Sequence, residues 1–334
     1  MRCLILPLVA ALGLPLAAQA QSFDSKDWTL ACDNTRTCRA AGYSAEGSAM
    51  PVSLLIARAA GAGAPVYGEV QLGVLDGHGL RPASVALAGS GKAAIAIRID
   101  RDNHAELPSN ALAAILKSLA VGGDVLLTSG KSTWRVSGAG AVEALQRMDD
   151  AQGRSGAPSA LVRKGGASAG DVASAMTAPR MNAVRVPTVP RPDDAALAVR
   201  VLSAIPSTAD CPLLDDGASQ SRARLWHLDV NRLLVTQPCK AAGAATAQGW
   251  WVANQRPPHD ARPVTYAGEF DGVATIAARV PGGSAGDCGT VEGWTWTGFR
   301  FEQTYAASGG LCRGVKEGGA WELPTAVTDV IPAQ

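Results

Sequence analysis

The chain has 334 residues, a formal net charge of +1 and only 18% charged residues. That balance offers no electrostatic footprint for nucleic acid or for an anionic membrane surface. With 47% hydrophobic residues the chain can bury sizeable cores, and its length argues for two domains.

The N terminus reads Met1-Arg2, a mostly apolar run from Cys3 to Leu16, then Ala17-Ala18-Gln19-Ala20. A basic start, an apolar centre and an Ala-x-Ala end predict a signal peptide over residues 1–20, with Gln21 as the mature N terminus. A retained anchor is the alternative, but the run is shorter than the roughly 20 residues of a membrane span. No cysteine stands at the cleavage point, which argues against a lipoprotein. No later stretch is long and apolar enough to span, so no stable membrane insertion is expected. Of seven cysteines, Cys3 belongs to the leader; Cys32, Cys38, Cys211, Cys239, Cys288 and Cys312 remain. An even count in an oxidising compartment predicts disulfides. Local spacing favours Cys32–Cys38, Cys211–Cys239 and Cys288–Cys312. No Cys-x-x-Cys pair and no histidine at ligand spacing accompanies them, so a zinc site is not expected.

Residues 21–152 read as a β-rich domain. Phe23 to Tyr43 carries the first disulfide loop behind Trp28, and short apolar runs follow at 51–58, 66–75, 84–87 and 94–99. In the last, Ile95, Ile97 and Ile99 alternate onto one face. Asp76-Gly77-His78-Gly79 is turn chemistry. A helix is expected at 110–119 with Ser109 as its cap and Leu112, Ile115, Leu116 and Leu119 as its apolar stripe. Two strands, 124–128 and 133–137, precede a second helix at 141–150. Residues 153–194 are rich in Gly, Ala and Pro and poor in large apolar side chains. They read as a flexible linker.

The second domain is expected over 195–330. It opens with a short helix, 195–204, and continues in strands at 223–230, 232–237, 249–254, 264–270 and 273–280, with Asp229–Arg232 and Asp271-Gly272 as turns. The stretch Glu292–Gln303 reads as an aromatic hairpin centred on Thr297-Gly298. A two-residue turn would set Trp296 opposite Phe299 and Trp294 opposite Phe301, with all four on one face and Thr295 and Arg300 on the other. Threonine is a poor residue for positive φ, so a longer loop with shifted register is the alternative. The fold class is therefore mainly β with a few short helices: two disulfide-stapled domains, sandwich or barrel-like, joined by a Pro/Gly/Ala-rich linker.

Three stretches resemble a known family. Trp28-Thr29-Leu30-Ala31-Cys32-Asp33-Asn34-Thr35-Arg36-Thr37-Cys38-Arg39-Ala40 opens the mature chain, Met148-Asp149-Asp150-Ala151-Gln152-Gly153-Arg154 closes the first domain, and Gly286-Asp287-Cys288-Gly289 precedes Trp294–Phe301 and Cys312-Arg313-Gly314. They resemble an exported bacterial six-cysteine family, domain-of-unknown-function family 1176, and the first domain is similar to the invasion-associated locus B proteins. The resemblance implies export and a two-part layout and supplies no activity. Such proteins carry a Gly-Ala-Tyr-Asn run after the cysteine matching Cys239, where this chain has Lys240–Thr246.

The candidate motifs each have a plainer reading. Gly89-Ser90-Gly91-Lys92 lacks the flanking residues of a phosphate loop, with Ala86 and Ala93 in their places, and reads as a glycine-rich turn. His78, His104, His227 and His259 are not paired at ligand spacing, and no Gly-x-Ser-x-Gly elbow is present. Asp287 reads as a turn residue, and Asp149-Asp150 as solvated surface. Trp250, Trp251, Trp294, Trp296, Phe299 and Phe301 are candidate ligand contacts, able to stack sugars or grip a peptide. A face of that kind also packs cores; adjacent Trp250 and Trp251 point to opposite sides of a strand, leaving one for an exposed contact. The sequence thus favours a periplasmic or secreted, non-enzymatic binding or envelope-associated module. It would bind an envelope ligand, glycan or protein, without cofactor. The alternative is a cell-envelope hydrolase with its site near Asp287 and the aromatic hairpin.

Overall fold

The computed structural model describes residues 21–73, 81–89, 94–168, 170, 172–240 and 247–334. The expected leader, the turn containing His78, the Ser90–Lys92 part of the glycine-rich turn and residues 241–246 lie outside the described residues. The chain is mainly β, in antiparallel sheets apart from one short parallel pair, and no described sheet closes into a barrel.

The first sheet contains β1 (Gln21–Ser25), β2 (Trp28–Cys32), β3 (Cys38–Tyr43), β4 (Val52–Arg58), β5 (Val66–Leu72) and β8 (His104–Glu106), in the order β1-β2-β3-β4-β5-β8. Between them in sequence, β6 (Ser84–Leu87) and β7 (Ile95–Arg98) join β9 (Val125–Ser129) and β10 (Ser132–Val136) in a second sheet. Helix α1 (Ser109–Leu119) turns Ala111, Leu112, Ile115 and Leu119 inward; Pro108, not Ser109, takes the cap position, and no side chain caps it. Proline fits the helix entrance because its absent N–H would be unpaired there anyway. Helix α2 (Ala141–Ala151) presses Leu145 and Met148 into the same core.

The strands β2, β3 and β4 are buried on both faces. Alternation sends Trp28, Leu30, Ala40, Leu54 and Ile56 toward the second sheet and helices. It sends Ala31, Ala41, Tyr43 and Leu55 the other way, where Val315, Ala320, Trp321 and Leu323 from the far end of the chain cover them. Trp28 lies so close over Gly42 that any Cβ there would enter the indole. Gly310, at φ +79°, likewise leaves no room for a Cβ beside the Tyr43 hydroxyl.

The second half opens with β11 (Arg180–Asn182), α3 (Asp194–Ser203), α4 (Gly217–Gln220), β12 (Arg224–His227), β13 (Arg232–Pro238), β14 (Gln248–Asn254) and β15 (Arg262–Thr265). It closes with β16 (Glu269–Phe270), β17 (Thr275–Gly282), β18 (Cys288–Trp296), β19 (Phe301–Ser308), β20 (Leu323–Val327) and β21 (Asp329–Ile331). Two sheets, β12-β13-β14-β15 and β16-β17-β18-β19-β20, face each other across Leu234, Trp250, Ile276 and Trp296. Disulfides join Cys32 to Cys38, Cys211 to Cys239 and Cys288 to Cys312.

The stretch expected to be a free linker is mostly exposed but is anchored to folded structure at several points. Ala157, Ala160, Leu161 and Val172 are buried. Strand β11 pairs in parallel with β21, and Val186, fully buried, plugs the core between the two facing sheets. Small side chains suffice where the surface they meet is already formed. Residues 163–168, 174–177 and 187–193 run exposed between these anchor points.

Asp149 also departs from expectation. It is 1% exposed and pairs at 2.6 Å with Arg58, itself 1% exposed. Its other oxygen accepts the N–H groups of Leu161, at 2.7 Å, and Val162, at 3.2 Å. Gln152 accepts from Arg58 Nε and donates to the carbonyls of Arg36 and Arg58. A carboxylate can stay buried when a guanidinium and backbone donors replace its water. Its neighbour Asp150 is exposed, as expected.

Candidate functional site

The aromatic hairpin takes the longer loop. The register pairs Trp296 with Phe301 and Trp294 with Gln303, so four residues, Thr297–Arg300, form the loop. Thr297 explains this: its N–H and hydroxyl both donate to the Arg300 carbonyl, at 3.1 and 2.9 Å, while Gly298 takes the positive φ of +88°. Trp294, Trp296 and Phe301 share the face turned toward β13 and β14. Phe299, expected on that face, stands 79% exposed at the loop tip. Thr295 faces away, bonded to Thr304 at 3.0 Å.

Both Trp250 and Trp251 are buried, at 4% and 1% exposure, so the expectation that one would be exposed fails. Their sheet is covered on both sides. Trp251 packs with Val201 and the Cys211–Cys239 bridge, and Trp250 with Trp226 and Phe270 toward the facing sheet.

Where the sheets part, at the end holding the Thr297–Arg300 loop, lies a cleft of about 480 Å³. Half-buried Trp294 and Phe301 form its apolar wall with Val252 and Val264. Arg232, Arg262, Arg300 and Asp260 stand around it. Its volume is in the range of ligand pockets, ~300–1,000 Å³. Arg232 is a structural strut: Nε donates to Asp229 at 2.7 Å, Nη2 to the Gly298 carbonyl at 3.0 Å, and the guanidinium lies 5.0 Å from the Trp296 ring centre. It binds the β12–β13 turn to the hairpin loop and so fixes the cleft's rim. Burial raises the Asp229 pKa, but the N–H groups of Asn231 and Arg232 and the Arg232 guanidinium outweigh it and hold the carboxyl below its ordinary value. Arg300 donates to Glu302 at 3.0 Å. Among the described residues, the side chains of Arg262 and Asp260 make no hydrogen bond or ion pair.

Of the candidate contacts, then, Trp294 and Phe301 line the cleft, Phe299 stands beside it next to Arg300, and Trp296 underlies the rim. The four polar residues were not singled out in sequence. An arginine beside proline on a short strand carries no signature, and Arg300 was expected on the opposite face because of the assumed turn.

Asp287 and the hairpin cannot share a site. They lie at opposite ends of β18, and seven residues of strand separate Asp287 from Trp294 by about 23 Å. Asp287 is 5% exposed and accepts the N–H of Gly314, 27 residues on, so it ties two distant segments together instead of capping its own turn as expected. It gathers with Cys288 and Cys312, but those sulfurs are bonded to each other and offer no thiolate to a metal. The three described histidines are held by other groups: His104 by Glu69 at 2.8 Å, His227 by Asp194 at 2.8 Å and His259 by the Asn254 carbonyl at 2.8 Å.

Three disulfides fit a non-cytoplasmic compartment, and no described helix is long and apolar enough to cross a membrane. Neither the curated proteins nor the solved structures searched contain a match. A family profile described as protein of unknown function (DUF1176) does match, over residues 22–328. With nearly the whole described chain inside that match, the protein belongs to this family.

Proposed function

We propose that the protein is an exported, non-enzymatic binding module that engages a cell-envelope ligand through the cleft between its second pair of sheets. The observation that carries this reading is the solvent-open aromatic wall of Trp294 and Phe301. Large rings left partly uncovered beside a concave surface are the usual platform for a ligand with an apolar face. Export is supported by the Ala17–Ala20 cleavage pattern and by the three bridges. Among the described residues, the cleft's lining includes no histidine, serine or cysteine, and its one carboxylate is Asp260. That set suits recognition better than acid–base work, which calls for a positioned pair.

The test is a comparative pull-down from envelope extracts with the mature protein and its Trp294→Ala variant. At least one species, saccharide or protein, should be retained by the wild type and lost by the variant. An identical retained set from both proteins would remove the cleft from the explanation.

A further inference from the structure

The uncommitted groups of the cleft define its ligand more narrowly. Resting on the reading of the cleft as a binding site, we propose that it takes an acidic saccharide, a sugar ring bearing one carboxylate. Two of the three arginines already pair with a carboxylate of this chain, Arg232 with Asp229 and Arg300, through Nε, with Glu302. Arg262 is exposed and without a partner among the described residues, so it is the arginine of the cleft that lacks a carboxylate, and its guanidinium fork has the shape that takes one in two parallel hydrogen bonds. Asp260, also exposed and uncommitted, is a pure acceptor when ionised. It would accept hydrogen bonds from the ring hydroxyls. Trp294 and Phe301 supply the flat surface for the C–H face of a ring.

The strand edge argues against an extended peptide. β15 is the edge of its sheet, four residues long, with a register shift between Trp250 and Trp251 in its partner. Pro263 at its centre has no N–H to give to an added strand. Such an edge is blunted against pairing. Recognition in the cleft therefore falls to side chains.

The experiment titrates the mature protein with trigalacturonate, neutral maltotriose and triglutamate. It follows tryptophan fluorescence, with calorimetry for affinity. Trigalacturonate should bind, and maltotriose at least about tenfold more weakly, the value of one charge-assisted hydrogen bond. Arg262→Gln should cost a similar factor for trigalacturonate and leave maltotriose unchanged. Asp260→Asn should weaken both sugars. Circular dichroism of each variant checks that the exposed substitutions leave the fold intact. Equal binding of the two sugars, or an Arg262→Gln variant that binds trigalacturonate as well as wild type, overturns the acidic ligand and leaves the binding cleft standing. Triglutamate binding without either sugar overturns the saccharide in favour of a peptide. Silence from all three probes overturns this proposal, while the pull-down with Trp294→Ala decides separately whether the cleft binds at all.

Discussion

Removing the Asp149 carboxylate is the most severe test of how this fold is held. Asp149→Ala leaves the Arg58 guanidinium, 1% exposed, without its counter-ion, and strips the acceptor from two backbone N–H groups, Leu161 and Val162. Breaking a buried pair by deleting one partner costs about 3–5 kcal/mol. Each orphaned buried donor adds up to about 1–3 kcal/mol where water cannot reach it. These costs overlap, and a total of about 5 kcal/mol is expected. That is a large part of a typical ~5–15 kcal/mol for a folded domain. Urea unfolding of the mature protein, followed by far-ultraviolet circular dichroism, gives the number from the midpoint at constant slope. The double variant Arg58→Met with Asp149→Leu removes both charges and should recover at least about 2 kcal/mol relative to Asp149→Ala, because an apolar pair of similar volume needs no counter-charge. An Asp149→Ala variant within about 1 kcal/mol of wild type, or a double variant no better than the single, would refute the account of this pair.

Replacing Cys288 and Cys312 with serine should remove about 3.5 kcal/mol by loop entropy. The loss should spread to the first sheet, because Val315–Leu323, just beyond Cys312, covers its outer face; probes in the two halves should shift together in a thermal melt, and a shift confined to one of them would contradict that cover. Asp229, held below its ordinary pKa, contributes stability that is full above the unfolded-state value, about 3.9, and lost as pH falls through the folded one. The stability gap between wild type and Asp229→Asn should therefore narrow as acid is added, and a gap constant from pH 7 to pH 3 would exclude the effect. The exported protein should begin at Gln21, where β1 starts, and mass spectrometry finding Met1 in the exported pool would sink the signal-peptide reading.

Much of the fold was legible because its causes are local. Ile95, Ile97 and Ile99 alternate, and Ile97 and Ile99 are buried as that pattern demands. Asp271 was readable as a turn residue, and its carboxylate caps the N–H groups of Val273, Ala274 and Thr275. What escaped was set by partners distant in sequence. Nothing near Asp149 announces Arg58, 91 residues away. The parallel pairing of β11 exists because β21 returns beside it, and Val186 is core because two sheets leave a gap of its size. Trp250 and Trp251 could both be buried only after α3 and the facing sheet had closed over opposite sides of β14. In the hairpin, Thr297 carried the clue to the longer loop, but its hydrogen bonds to Arg300 decide the register.

The segments that carry the family resemblance have structural work that accounts for them. In the first, Asp33 accepts from Thr35, Thr37 and Arg39, and the Asn34 amide exchanges hydrogen bonds with both backbone groups of Val327 in β20. In the second, Asp149 and Gln152 anchor Arg58, and Arg154 donates to the carbonyls of Gly61 and Ala62. In the third, Arg313 reaches Asp27 at 3.0 Å and Glu46 at 3.1 Å across the seam between the halves. There Trp321 donates to Ser53 at 2.6 Å and meets the edge of His104. Apart from Arg154 Nε and Arg313 Nε, which are buried without a partner, the polar groups so placed are engaged by the fold and have little left to offer a ligand. Around the cleft the reverse holds: Arg262 and Asp260 are charged, exposed and without a partner among the described residues, and Trp294 and Phe301 are only half-buried. A free, exposed guanidinium contributes little to stability where it stands. We read Arg262, Asp260, Trp294 and Phe301, brought together in one cleft, as the groups for which a ligand would supply the missing partner.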